Sequence, residues 1–364
     1  MLHLACRHHI FEVILADVFK CLFDYSSGPE IAIFKRFQGL WRSIDADIPE
    51  SGMLDEETAI ILENNQEMKS SAMDYAMKEC EKSHLREDYR ELLELSIIYL
   101  GGEPPRGRRI RKPGAMHHAR WMAKAIYAFK IFLFRAQFKL TMKEERALRY
   151  FNLFVSLVYQ EAWFSAPCVV GAPLNDLNLF KRMNLFVDIH SDIARTASKA
   201  FGRHTWYLSE ELVCLSFFDP RVPLETKIQM REVILKEIND SSRPPKRPTL
   251  NKPESLSLPD LVTNRSQRFF TILDIKFDWL SKEPINWEAD LSFQVAKKIA
   301  LSLVVVNDRA ERGVKLIQDF NSILTKYEEQ KQALLHVVTQ HRKLFPNANK
   351  ATVTATKSII PTQD

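Results

Sequence analysis

Glycine is scarce in this chain, at 10 of 364 residues. A sequence so short of residues that enter positive φ without strain has few ways to make the tight turns of a meander, barrel or propeller. It also holds 23 Phe, 9 Tyr and 6 Trp, and 46% of it is hydrophobic, which is ample for a packed core. The two facts together predict a mainly α protein and exclude intrinsic disorder for most of the chain.

Apolar residues recurring at three and four mark the helices. They predict helix over Ile10 to Phe23, broken by SSGPE at Ser26 to Glu30, then a polar, acidic helical region from about Leu54 to Lys82 and a second helix from Leu85 to Leu100 stopped by Gly101-Gly102. Further helices are expected over Ala115 to Phe138, Lys143 to Phe164, Leu177 to Ala200, Leu208 to Phe217 and Ala310 to Phe345. Ser266 to Trp279 and Ala289 to Val306 are apolar enough to bury. The Pro-, Ser- and Lys-rich run from Ser241 to Asp260 has linker composition. The expected organisation is therefore residues 1–100, a basic loop with a helical insertion over 101–240, a linker over 241–260, a C-terminal part over 261–345 and a frayed tail over 346–364.

Charge and thiols narrow the setting. Lysine and arginine exceed aspartate and glutamate by five, a mild basic balance. Five scattered cysteines, Cys6, Cys21, Cys80, Cys168 and Cys214, suit reduced thiols of a nuclear or cytosolic protein better than a disulfide framework. No apolar run approaches 18 residues, so no membrane span is expected, and Arg7-His8-His9 interrupts any signal-peptide pattern.

Four short motifs carry chemistry, each beside a plainer reading. Cys6 and His9 share a helix face, yet zinc needs two more ligands that the other cysteines do not offer, so two polar groups satisfied in the core are the better account of the pair. The loop RGRRIRKPG concentrates Arg106, Arg108, Arg109, Arg111 and Lys112, a density that attracts phosphate by counterion release; the plainer reading is a solvated loop or a localisation signal. Arg120-Trp121 follows it, a pair suited to holding a phosphate and stacking on an unpaired base, although Trp121 also fits the core face of Ala125, Phe129, Phe132 and Ala136. Glu311, three residues after Asp308, fits a helix-capping box or a metal-binding carboxylate. Glu210 and Glu211 form a fallback acidic pair. No Walker loop, GxGxxG or Ser/His/Asp order is present.

In this order, Cys6-x-x-His9 in LACRHHIFEVIL, Arg120-Trp121 in HHARWMAKAIY and Ala310-Glu311-Arg312 in NDRAERGVKLI resemble motifs in the catalytic half of cut-and-paste DNA transposases of the hAT type. The whole chain also looks like a group of transposable-element-derived invertebrate proteins carrying ACRHHIFE, GAMHHARWMAKAIY, WYLSEELV and NDRAERGV in sequence. The resemblance implies an incomplete RNase H-like (α/β) core, in 1–100 and 261–345, interrupted by the helical insertion. It makes Glu311 the third catalytic carboxylate and metal ligand, Arg120 and Trp121 DNA contacts beside the cut, and Cys6 and His9 core-organising residues.

The family chemistry is two-metal phosphoryl transfer, which needs two further aspartates to hold Mg²⁺. Those aspartates precede the Cys-x-x-His helix in the family, whereas five residues precede Cys6 here and Asp17, Asp24, Asp45 and Asp47 all follow it. Ala310 stands where the family has serine and Val314 where it has an aromatic. The expectation is a nuclear or nucleo-cytoplasmic, transposase-derived DNA-binding protein, without strand cleavage in this chain, binding Mg²⁺ only if the missing acids are supplied. DNA is the expected partner, with a homo-oligomer through the C-terminal helices as a further one. The alternative is a helical scaffold or protein-interaction module; an active nuclease using Glu210, Glu211 and Glu311 ranks last.

Overall fold

Helices dominate the computed structural model, which describes residues 2, 4–23, 31–82, 85–108, 110–114, 121–235 and 255–303. The linker segment up to 254, the helix pair expected over Ala310 to Phe345 and the tail beyond Pro346 lie outside these residues. In chain order the helices are α1 (Arg7–Phe23), α2 (Ala32–Leu40), α3 (Glu56–Asn64), α4 (Gln66–Cys80), α5 (Glu87–Tyr99), α6 (Trp121–Leu133), α7 (Met142–Phe154), α8 (Gln160–Ser165), α9 (Ala172–Leu185), α10 (Ser191–Gly202), α11 (Leu224–Leu235), α12 (Leu258–Leu261), α13 (Arg268–Ile272) and α14 (Leu291–Ser302).

Local chemistry sets the ends. Thr141 and Glu144 form a reciprocal capping box that starts α7, with Glu144 N–H donating to Thr141 Oγ1 at 3.2 Å and Thr141 N–H to Glu144 Oε2 at 2.9 Å. Asp55 starts α3 by accepting from Thr58 N–H at 2.9 Å, and Asp290 starts α14 by accepting from Phe293 N–H at 3.0 Å. Between α7 and α8 the helix widens to π geometry over Val155–Tyr159 without breaking.

α6 is buried nearly all round, and α1 lays its apolar face against the same core while His9, Lys20 and Cys21 face outward. In α6, Met122, Ala125, Tyr127, Ala128, Phe129, Ile131, Phe132 and Leu133 are buried, and α1 buries Ile10, Phe11, Ile14, Leu15, Val18, Phe19 and Phe23. α1 packs against α6, α7, α8 and α10. Tyr99 of α5 meets the rings of Phe129 and Phe132 edge-on, at 5.5 and 5.4 Å. One hydrophobic core continues from Ile10 to Ala300.

The RNase H-like expectation needs a sheet, and among the described residues there is no strand. The reason is visible at both places assigned to that core. Residues 7–23 keep a three-and-four apolar period rather than an alternation of two. Residues 264–293 carry aromatics at irregular spacing, and short 3₁₀ turns bring Trp279 and Trp287 to 4.8 Å of each other and Trp279 to 5.0 Å from Phe293 of α14. The apolar stretch after Ala289 forms α14 as far as Ser302.

Candidate nucleic-acid interface

The basic loop leaves α5 through Gly101, whose φ of +93° suits glycine alone among common residues. A Cβ there would also stand 2.7 Å from Met53 Cγ. Three apolar anchors then hold the loop down, since Pro104, Ile110 and Pro113 are buried while Arg106, Arg108, Arg111 and Lys112 between them are exposed. A second positive φ, at Gly107, lets the chain turn so that Gly107 N–H donates to the Pro104 carbonyl at 2.9 Å.

Beneath the loop lies Lys130 of α6, its side chain 1% exposed and ion-paired with Glu91 at 2.7 Å. Its ammonium also donates to the carbonyls of Arg111 at 2.9 Å and Lys112 at 3.4 Å. Burial pushes the Lys130 ammonium down and Glu91 pulls it back up. Gln38 Nε2 donates to the Gly114 carbonyl at 3.2 Å, and the Tyr127 hydroxyl donates to the same carbonyl. The loop backbone is thus fixed by the buried Lys130 and Tyr127 and by the exposed Gln38, while its cationic side chains face outward.

Those side chains meet carboxylates. Glu87, Glu91 and Glu94 follow one another at four and three along α5, so they share a face. Arg106 Nη1 lies 3.4 Å from Glu87 Oε1, Arg111 Nη2 pairs with Glu87 Oε2, and Arg108 Nε lies 2.8 Å from Glu103 Oε2. The arginine side chains remain about half exposed, at 53%, 45% and 46% for Arg106, Arg108 and Arg111. Partial burial pushes the Glu87 carboxyl up, but hydrogen bonding and charge from Arg111 and Arg106 outweigh it and hold it below the usual range. Glu94 goes the other way, pushed up by burial against the pull of Arg106, Arg111 and Arg90. Arg108 also borders a cleft of about 350 Å³ lined by Ile48, Leu133, Phe134 and Gln137.

The remaining site expectations fare unevenly. Arg109, Arg120 and Glu311 lie outside the described residues, as does the side chain of Trp121, whose backbone opens α6. Cys6 is half-buried and its carbonyl accepts from Ile10 N–H at 3.2 Å, while His9 is exposed. Their neighbours carry the structure instead. Arg7, fully buried, donates through Nε to Asp176 Oδ1 at 3.0 Å and through Nη1 to the Ser165 carbonyl at 3.0 Å, with its guanidinium 5.0 Å from the Phe11 ring centre. His8 Nε2–H donates to the Trp163 carbonyl at 3.1 Å. Burial pushes the Asp176 carboxyl up, and the Arg7 charge and hydrogen bonds oppose it.

Asp17, downstream of Cys6, is ion-paired with Arg203 at 2.8 Å. Glu210 is buried and Glu211 half-buried. Among the described residues no group of three His, Cys, Asp or Glu side chains gathers as a metal site. No helix among the described residues is long and apolar enough to cross a membrane. All five cysteines are free.

No protein-family model, curated protein or solved structure matches the chain.

Proposed function

We propose that this is a transposase-derived nuclear protein that binds DNA through the loop Arg106–Lys112 and does not cut it. The observation that carries the reading is the loop's construction. A buried Lys130 holds the backbone at Arg111 and Lys112, so the exposed cations are presented in a fixed array rather than on a free tether. Pre-ordering lowers the entropy lost when several cations engage a phosphate backbone together. The ion pairs already present do not prevent this, because exposed pairs contribute only about 0–1 kcal/mol each and exchange readily.

A second reading is favoured by one specific observation. Arg106, Arg108 and Arg111 each have a carboxylate partner within the chain, as a helical scaffold with a merely latched loop would require. Duplex titrations across salt separate the two. Under the DNA-binding reading, log affinity falls steeply with log salt, and Arg106→Gln/Arg108→Gln/Arg111→Gln lowers the slope by about 0.9 for each phosphate the variant no longer neutralises. A scaffold gives equal, shallow slopes for both proteins.

A further inference from the structure

We infer that the acidic face of α5, with Glu103 at the base of the loop, is a built-in competitor for DNA: it occupies the loop's arginines and sets how tightly the protein binds. The inference rests on the DNA-binding reading and adds its regulation. Three observations carry it. Glu87 serves two arginines at once, Arg106 at 3.4 Å and Arg111, so one carboxylate bridges both ends of the turn. Glu103 takes Arg108 at 2.8 Å, so all three described arginines of the loop have a carboxylate partner. Glu91, the next carboxylate along the same face, pairs with Lys130, which holds the loop's carbonyls. The face therefore divides its work: Glu91, through Lys130, fixes the backbone, and Glu87 holds the arginines.

The geometry follows the phosphate problem closely. Glu87 presents one oxygen to each of two guanidinium groups, the same two-oxygen fork that a phosphate offers. Because the pairs are about half exposed, they are weak enough to be replaced, yet each one replaced subtracts from the affinity gained. Screening acts on both sides, so the carboxylates matter most at low salt. The occupant that displaces them is a polyanion, whose successive phosphates can take the Glu87 pairs and the separate Glu103 pair at once.

The test uses the full chain and a mixed-sequence DNA duplex. Glu87→Gln/Glu103→Gln keeps side-chain size and removes both charges; the expected result is binding tighter by roughly tenfold at low salt, the combined worth of three weak pairs. The gain should shrink between about 50 and 200 mM salt. Glu91→Gln serves as the contrast: it leaves the arginines paired, so it should not tighten binding as the double variant does. If neutralising Arg106, Arg108 and Arg111 weakens binding but Glu87→Gln/Glu103→Gln leaves it unchanged, the competitor role is overturned and DNA binding by the loop survives. If neutralising the arginines changes nothing, the DNA-binding reading itself fails and takes this inference with it. Far-UV circular dichroism of each variant establishes that the helices are retained.

Discussion

Arg7 with Asp176 and Arg111 with Glu87 are the same chemical pair in opposite surroundings. The first is sealed, with side chains 0% and 1% exposed; the second stands at the surface, 46% and 53% exposed. In the core, each charge has been stripped of water and depends wholly on its partner, so the pair locks α1 to α9 and cannot be traded. At the surface water already solvates both ions, so the pair costs little to break and a phosphate can take the carboxylate's place. Burial, rather than residue identity, separates the arginine that builds the fold from those offered to a ligand.

The largest expected effect lies on the buried side. Arg7→Met leaves Asp176 buried without its cation and should cost about 3–5 kcal/mol in urea denaturation, whereas Arg7→Met/Asp176→Leu should recover most of that loss. A small effect of the single change would erase the contrast. Lys130→Met comes next, because it leaves Glu91 and two loop carbonyls without their donor; about 2 kcal/mol of destabilisation is expected, together with faster proteolysis in the loop. Unchanged proteolysis would show that Lys130 does not hold the loop.

Asp55 supplies an intermediate case that acid can read. Partial burial raises its carboxyl, but hydrogen bonds from Arg149 and Thr58 prevail and bring it from 3.8 to about 2. The folded value lies below the unfolded one, so its stabilisation is complete above about pH 4 and is lost as pH falls towards 2. Asp55→Asn should therefore flatten the fall in thermal midpoint across that interval. An equally steep fall in the variant would place the acid sensitivity elsewhere. The smallest effect belongs to the surface: Glu87→Gln should change stability by no more than about 0.5 kcal/mol. A loss as large as that of Arg7→Met would make the loop's pairs structural.

What the sequence makes legible follows from how local each cause is. α1, α5, α6 and the run from α7 to α8 are readable because their apolar residues repeat within a few positions. The stretch expected as one helix over Leu177 to Ala200 divides at 186–190, where His190 accepts from Ile193 N–H to start α10, although the apolar pattern runs on across the break. The run Leu212–Phe218, within the stretch expected as helix over Leu208 to Phe217, is 3₁₀ and buried on every side. α2 and α11 lie outside the expected helices. The loop's positive charge is plain in the sequence, but its carboxylate partner Glu87 lies 19 and 24 residues upstream of Arg106 and Arg111. Arg7 and Asp176 are 169 residues apart, and only the packing of α1 on its neighbours brings them together.

The most direct measurement of the contrast is to follow the arginine Nε–H resonances of the full chain by NMR while a mixed-sequence duplex is added. Arg106, Arg108 and Arg111 should shift progressively and return when salt is raised, while Arg7, held at 3.0 Å to Asp176, should not move. Loop resonances that stay in place at saturating DNA, or an Arg7 signal that shifts with them, would contradict the account.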